Sequence, residues 1–68
     1  MILVFSKGSS RFDETSIDCS PGEVLISIFK KTEWPFPKTF RFDGDEIDPS
    51  ETLETLEIEN GFKIEIVY

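Results

Sequence analysis

The groups in this chain that could do chemistry are carboxylates. Asp and Glu number 14 against 7 Lys and Arg, His is absent and Cys occurs once. Without an imidazole, no His-based triad or His acid–base pair can be assembled. Cys19 has no His to activate it and reads as a small buried apolar residue. Paired carboxylates can do acid–base work where a pocket holds them together, but these acids are strewn along turns. The stretch DGDEID, residues 43–48, superficially suggests a calcium loop. Its glycine stands second where such a loop needs it sixth, and Ile47 takes the fifth position, so only weak, non-specific cation binding is left. No Gly-rich phosphate loop is present. The expectation is a chain that is not an enzyme and has no cofactor and no metal site.

What the carboxylates can do is attract a partner. The formal net charge is −7, and every charged residue from Asp43 to Glu59 is acidic. Binding to a phosphate backbone needs Lys and Arg, so nucleic acid is not expected as a partner. A protein with a basic surface suits the segment, because opposed potentials speed encounter and reject wrong partners. The plainer alternative is a solvated acidic face kept for solubility.

The 68 residues make one domain, 1–68. A chain so short buries only about 60% of its unfolded surface, so its core must be efficient. Seven Phe, one Trp and one Tyr make that feasible, since aromatics bury much area per residue. A single Cys forms no internal disulfide and fits a reducing, intracellular compartment, nuclear or cytoplasmic. No apolar run reaches the ~20 residues of a membrane span, and the opening MILVFSKGSS lacks the basic lead of a signal peptide.

The elements that must position the acids follow from spacing. Residues 2–6 form an apolar strand, and 11–19 a second strand antiparallel to it, with Ile17 and Cys19 on one face. Phe12 falls out of register with them, which suggests a bulge or a longer turn. Ser20, Pro21 and Glu23 match a capping box, and Val24, Leu25, Ile28 and Phe29 recur at helical spacing, predicting a short helix over 21–32. Pro35 and Pro37 forbid its continuation. Trp34 and Phe36, in that Pro-punctuated loop, are expected as lids over the apolar face of the sheet. Strands at 39–43 and 46–48 hinge on Asp43-Gly44. Leu53 and Leu56, three apart, suit one helical turn with Ile58 dropping into the core behind them, Asn60-Gly61 suits a reversal, and 62–67 alternates as the last strand. One helix on one face of a mixed sheet, its first and last strands central and parallel, is α+β.

That order is the order of the ubiquitin-like β-grasp, with a mixed four- to five-stranded sheet and one short helix packed across it. TFRFDGDEI, residues 39–47, is similar to the strand–Phe–acidic–Gly–x–x–Ile segment of the small ubiquitin-like modifier SUMO. SETLETLEIENGFKIEIVY, residues 50–68, resembles the tail that follows it in that family. Thr52, Leu53, Leu56 and Ile58 also match ubiquitin's Thr-Leu-x-x-Tyr-x-Ile turn. The likeness covers residues 38–68 and is architectural before that. It points to SUMO-like domains carried inside larger genome-maintenance proteins.

The resemblance also shows departures. Modifiers end in a flexible Gly-Gly tail, whereas residue 68 is Tyr; a modifier whose tail lies outside the sequence is one alternative, and a structural or oligomerisation domain another. SUMO takes short hydrophobic-acidic peptides between its second strand and helix, using lysines there; the matching positions include Ser16 and Asp18, which would not attract an acidic ligand. Arg41 stands where ubiquitin's binding patch has its central isoleucine, although Val67 matches the patch's valine. What the resemblance still implies is non-catalytic docking on the rear of the SUMO-conjugating enzyme through acids around the turn before the last strand. Glu57, Glu59 and Asn60 match that segment, and Glu65 matches the glutamate of its Ile-Glu-Val. Phe62 and Tyr68 are candidates for the apolar centre of such an interface.

Overall fold

The computed structural model describes residues 1–8 and 13–68. The continuous apolar start of the chain is a strand with neighbours on both sides. Strand β1, Ile2–Lys7, pairs antiparallel with β2, Glu14–Asp18, and parallel with β5, Lys63–Val67. In the parallel ladder Phe5 stands beside Ile64 and Lys7 beside Ile66. Strand β3, Thr39–Phe42, runs antiparallel to β5, and β4, Asp45–Ile47, is added antiparallel on its far side. The sheet order is therefore β2-β1-β5-β3-β4. The chain is an α+β domain with a mixed five-stranded sheet and one short helix, and its first and last strands lie side by side near the middle.

Alternation within each strand assigns the two faces. Leu3 and Phe5, Ile64 and Ile66, and Phe40 point to one side, where Leu25, Ile28 and Phe29 of the helix and Leu53 meet them; all are almost wholly buried. Cys19 is buried in the same cluster, as its spacing from Ile17 predicts. The ring of Phe29 sits at the centre, edge-on to Phe5 at 5.5 Å and to Phe40 at 5.1 Å. Phe62, one of the two aromatics offered as an interface centre, packs against this core and stacks on Phe42 at 5.1 Å.

The helix is shorter than its capping signal predicts. It runs Leu25–Lys30, and Val24 before it is extended. Ser20 does not cap it. The Glu23 carboxylate does accept the Ser20 N–H at 3.0 Å, which is half of a capping box, but the Glu23 N–H bonds the Ser20 carbonyl and closes a separate turn over Pro21-Gly22. Val24 then bridges to Thr52, so the chain is held extended for one more residue. The first helical N–H groups find other acceptors: Leu25 donates to the Glu51 carbonyl at 3.0 Å and Ile26 to that of Pro49 at 2.9 Å. Tertiary hydrogen bonds replace the local cap and tie the helix start to the acidic loop. Beyond Lys30 the spacing tightens, and the chain leaves through Glu33 in the left-handed region, φ 61°.

Strand limits shift by one to three residues from the sequence reading. β2 begins at Glu14 rather than 11; Arg11 and Phe12, with the proposed bulge, lie outside the described residues. Trp34 is half-buried against the core as expected of a lid, with the Lys7 ammonium 4.6 Å above its ring. Phe36 covers only in part: it meets Phe29 and Phe40 edgewise yet stays 65% exposed.

The corner at 43–44 is the two-residue reversal that its sequence predicts. Phe42 faces Asp45, and Asp43 and Gly44 both take positive φ, 53° and 85°. Two positive φ values give the turn the twist that a tight hairpin requires. A Cβ at Gly44 would meet nothing within 4 Å, so a substitution there is resisted by the backbone alone. Gly44→Ala is expected to lower stability by about 1 kcal/mol, read as a lower midpoint in urea with an unchanged slope.

Candidate functional site

The acids of interest hang on a turn that the core pins from beneath. Thr52 opens it: its Oγ1 accepts the Thr55 N–H at 3.1 Å, in the manner of a helix N-cap. Leu56 N–H bonds the Thr52 carbonyl, completing one turn. The turn then stops in a Schellman arrangement. Ile58 N–H reaches back to the Leu53 carbonyl at 2.9 Å, Glu57 N–H to that of Glu54 at 3.1 Å, and Glu57 takes φ 60°. The apolar pair that accompanies such a stop is present, because Leu53 and Ile58 are both buried. The Leu53–Leu56–Ile58 spacing thus anchors the segment, and Glu57 and Glu59, on either side of Ile58, are exposed.

Glu57 occupies a position usually given to Gly or Asn, the residues that bear a left-handed backbone most easily. A β-carbon there costs about 1 kcal/mol or more. The sequence carried no sign of this, since the stop depends on where Ile58 lands.

Asn60 is engaged within the fold. Its Oδ1 accepts the Ile2 N–H at 2.7 Å, and Gly61 N–H donates to the Ile2 carbonyl at 2.8 Å. These bonds extend the β1–β5 pairing by one step, and they fix the acidic turn relative to the sheet. Gly61 has φ 86°, which the reversal from Glu59 to Phe62 requires.

Glu65 belongs to a different surface. It lies on β5, half-buried on the face turned away from the core, registered beside Ser6 on β1 and Arg41 on β3. On the same face Lys63 pairs with Glu14 across β1, and an Arg41 guanidinium nitrogen donates to the Gly44 carbonyl at 2.7 Å. The structure therefore brings Glu57, Glu59 and Asn60 together on one turn and sets Glu65 on the outer sheet face. Tyr68 is partly exposed at the end of β5. Ser16 and Asp18 are exposed on the edge strand β2.

Two carboxylates are held by named donors. The Lys31 ammonium, 3.1 Å away, and the Ser20 N–H pull the Glu23 carboxyl below its ordinary 4.5. The hydroxyl and N–H of Ser50, at 2.7 and 2.9 Å, pull Asp48 below its ordinary 3.8. A carboxyl depressed in the fold stabilises it above its unfolded value, and that contribution is lost as pH falls through the folded value. Melting temperature is expected to drop as the solution is acidified below about pH 4. The double substitution Glu23→Gln and Asp48→Asn should flatten that drop. Burial pushes the Cys19 thiol upward, so it stays protonated at neutral pH.

Among the described residues no three Asp, Glu or Cys side chains converge as a metal site would need, and no helix is long and apolar enough to cross a membrane. No protein-family model matches this chain, and no curated protein matches it.

Proposed function

We propose that the chain is a ubiquitin-like β-grasp domain of the SUMO-like kind, acting as a non-catalytic docking module inside a larger protein. Its acidic turn, Glu57 and Glu59, meets a basic surface on a protein partner, and the SUMO-conjugating enzyme is the partner that the resemblance implies. The observation that carries the docking role is Glu57 itself. A residue with a β-carbon and a charge holds a left-handed position where glycine would be more comfortable, and its carboxylate faces solvent. Backbone strain of this kind, kept on a pinned turn, suggests a use for the side chain. Support for the fold comes from the sheet order, the parallel central pair and the helix lying across one face. Asn60 contributes by locking the turn to Ile2, and Glu65 offers a further carboxylate on the outer face.

Glu57→Gly separates a docking role from a solubility role. The substitution relieves the backbone and is expected to raise stability by about 0.5–1 kcal/mol. It should at the same time weaken binding to the SUMO-conjugating enzyme, measured by calorimetry. Stability rising with affinity unchanged would leave Glu57 without a part in docking.

A further inference from the structure

A second surface stands apart from the acidic turn. The loop between the helix and β3 reads Trp34-Pro35-Phe36-Pro37, and it ends in a groove of about 480 Å³. Phe36, Phe40, Ile47 and Pro49 give the groove its apolar surface, and Glu46 and Asp48 line it from the β4 side. Phe40 is closed off below as part of the core, whereas Phe36 leaves two thirds of its surface in solvent.

Three properties distinguish this groove from a casual apolar patch. Phe36 is pre-set: Pro37 after it confines its backbone to extended conformations, and its ring rests edge-on against Phe29 at 6.3 Å and Phe40 at 6.2 Å. An aromatic already ordered before binding loses little entropy on contact, which is what binding anchors have in common. Asp48 is pre-set too, because Ser50 holds its carboxylate with two hydrogen bonds. The rim also leans acidic, with two carboxylates, Glu46 and Asp48, to one base. Lys38 is the single base among the lining residues, and the adjoining chain from Asp43 to Glu51 bears only acids.

We infer that this groove docks an apolar side chain from a protein segment flanked by Lys or Arg. The apolar part would lie against Phe36 and Ile47, and the flanking cations would face Glu46 and Asp48. Added strand pairing is not the mode, because β4 at the sheet edge has three residues and offers too short a ladder. A second copy of the chain fits poorly, since its formal charge is also −7. The inference rests on the reading of the chain as an interaction module, but it uses residues that the acidic turn does not.

The test is an array of short synthetic peptides with an apolar centre of Leu, Ile, Phe or Trp, flanked by Lys, by Glu or by Ser. It is probed with the intact chain, with Phe36→Ser, with the pair Glu46→Lys and Asp48→Lys, and with the pair Glu57→Lys and Glu59→Lys. Lys-flanked peptides are expected to bind and Glu-flanked ones to fail. Phe36→Ser should lose about tenfold or more in affinity, and the Glu46/Asp48 reversal should lose the preference for Lys. The Glu57/Glu59 reversal should leave peptide binding nearly unchanged, which separates this groove from the acidic turn. Amide spectra of each variant establish that the fold is retained; because Phe36 is mostly exposed, its loss should leave the core intact. The inference is overturned if no Lys-flanked peptide binds, if Phe36→Ser binds as well as the parent, or if Glu-flanked peptides bind equally. Self-association that alters the Phe36 and Ile47 signals without peptide would give the groove to a second copy and overturn it as well.

Discussion

Phe29→Ala should remove a large share of the chain's stability, about a third of it at least. Phe29 is 1% exposed and its ring touches three others edge-on: Phe5, Phe36 and Phe40. It is also the one aromatic on the helix, so it carries much of the contact between helix and sheet. Removing a buried phenyl ring typically costs about 3–5 kcal/mol, through lost transfer energy and the cavity left behind. A domain of this length has a total stability of only about 3–10 kcal/mol. Phe29→Leu retains most of the volume and should cost less than half as much. Denaturant titration followed by circular dichroism reads both. A Phe29→Ala protein with a midpoint near the parent's would mean that the helix is held chiefly by its backbone bonds to Pro49 and Glu51.

The second large effect concerns the proposed docking. Reversing Glu57 and Glu59 together to Lys changes the local charge by four units. Each reversal removes an exposed attraction of up to about 1 kcal/mol and adds a repulsion of similar size. Affinity for a basic partner should fall by about ten- to a hundredfold. The loss should appear mainly as slower association, and it should shrink as salt is raised, because rim charges act at long range and are screened. Stability should change little, since both side chains are exposed and Ile58, between them, is untouched. An affinity that falls equally at low and high salt would point to a distorted turn instead.

The parts of the fold that sequence foretold are those written in local patterns. The apolar run at the start, the alternation from Phe62 to Val67 and the Asp43-Gly44 reversal each depend on a few neighbouring residues, and each is found in place. The helix boundaries were harder. Ser20-x-x-Glu23 is a true local signal, and its Glu-to-backbone half forms, but Val24 is claimed by Thr52 from a distant segment. Competition of that kind cannot be read from spacing, because it depends on where the loop at 49–52 comes to lie. The same holds for the candidate site. That Glu57 and Glu59 flank a core residue was visible in Leu53-x-x-Leu56-x-Ile58. The left-handed backbone of Glu57 and the use of Asn60 to hold Ile2 were not, since both arise only when the turn docks on the sheet. Phe36, in a Pro-punctuated loop, is expected from sequence as a lid over the apolar face of the sheet. Its ring meets Phe29 and Phe40 edge-on and still stays 65% exposed.

The most direct measurement is a titration of isotope-labelled chain with the SUMO-conjugating enzyme, followed by amide shifts. The proposed docking expects the largest shifts at Glu57, Glu59 and their neighbours through Gly61, weakening as salt is added. Saturable binding whose shifts bypass that turn, or no shifts at all at high enzyme concentration, would contradict it.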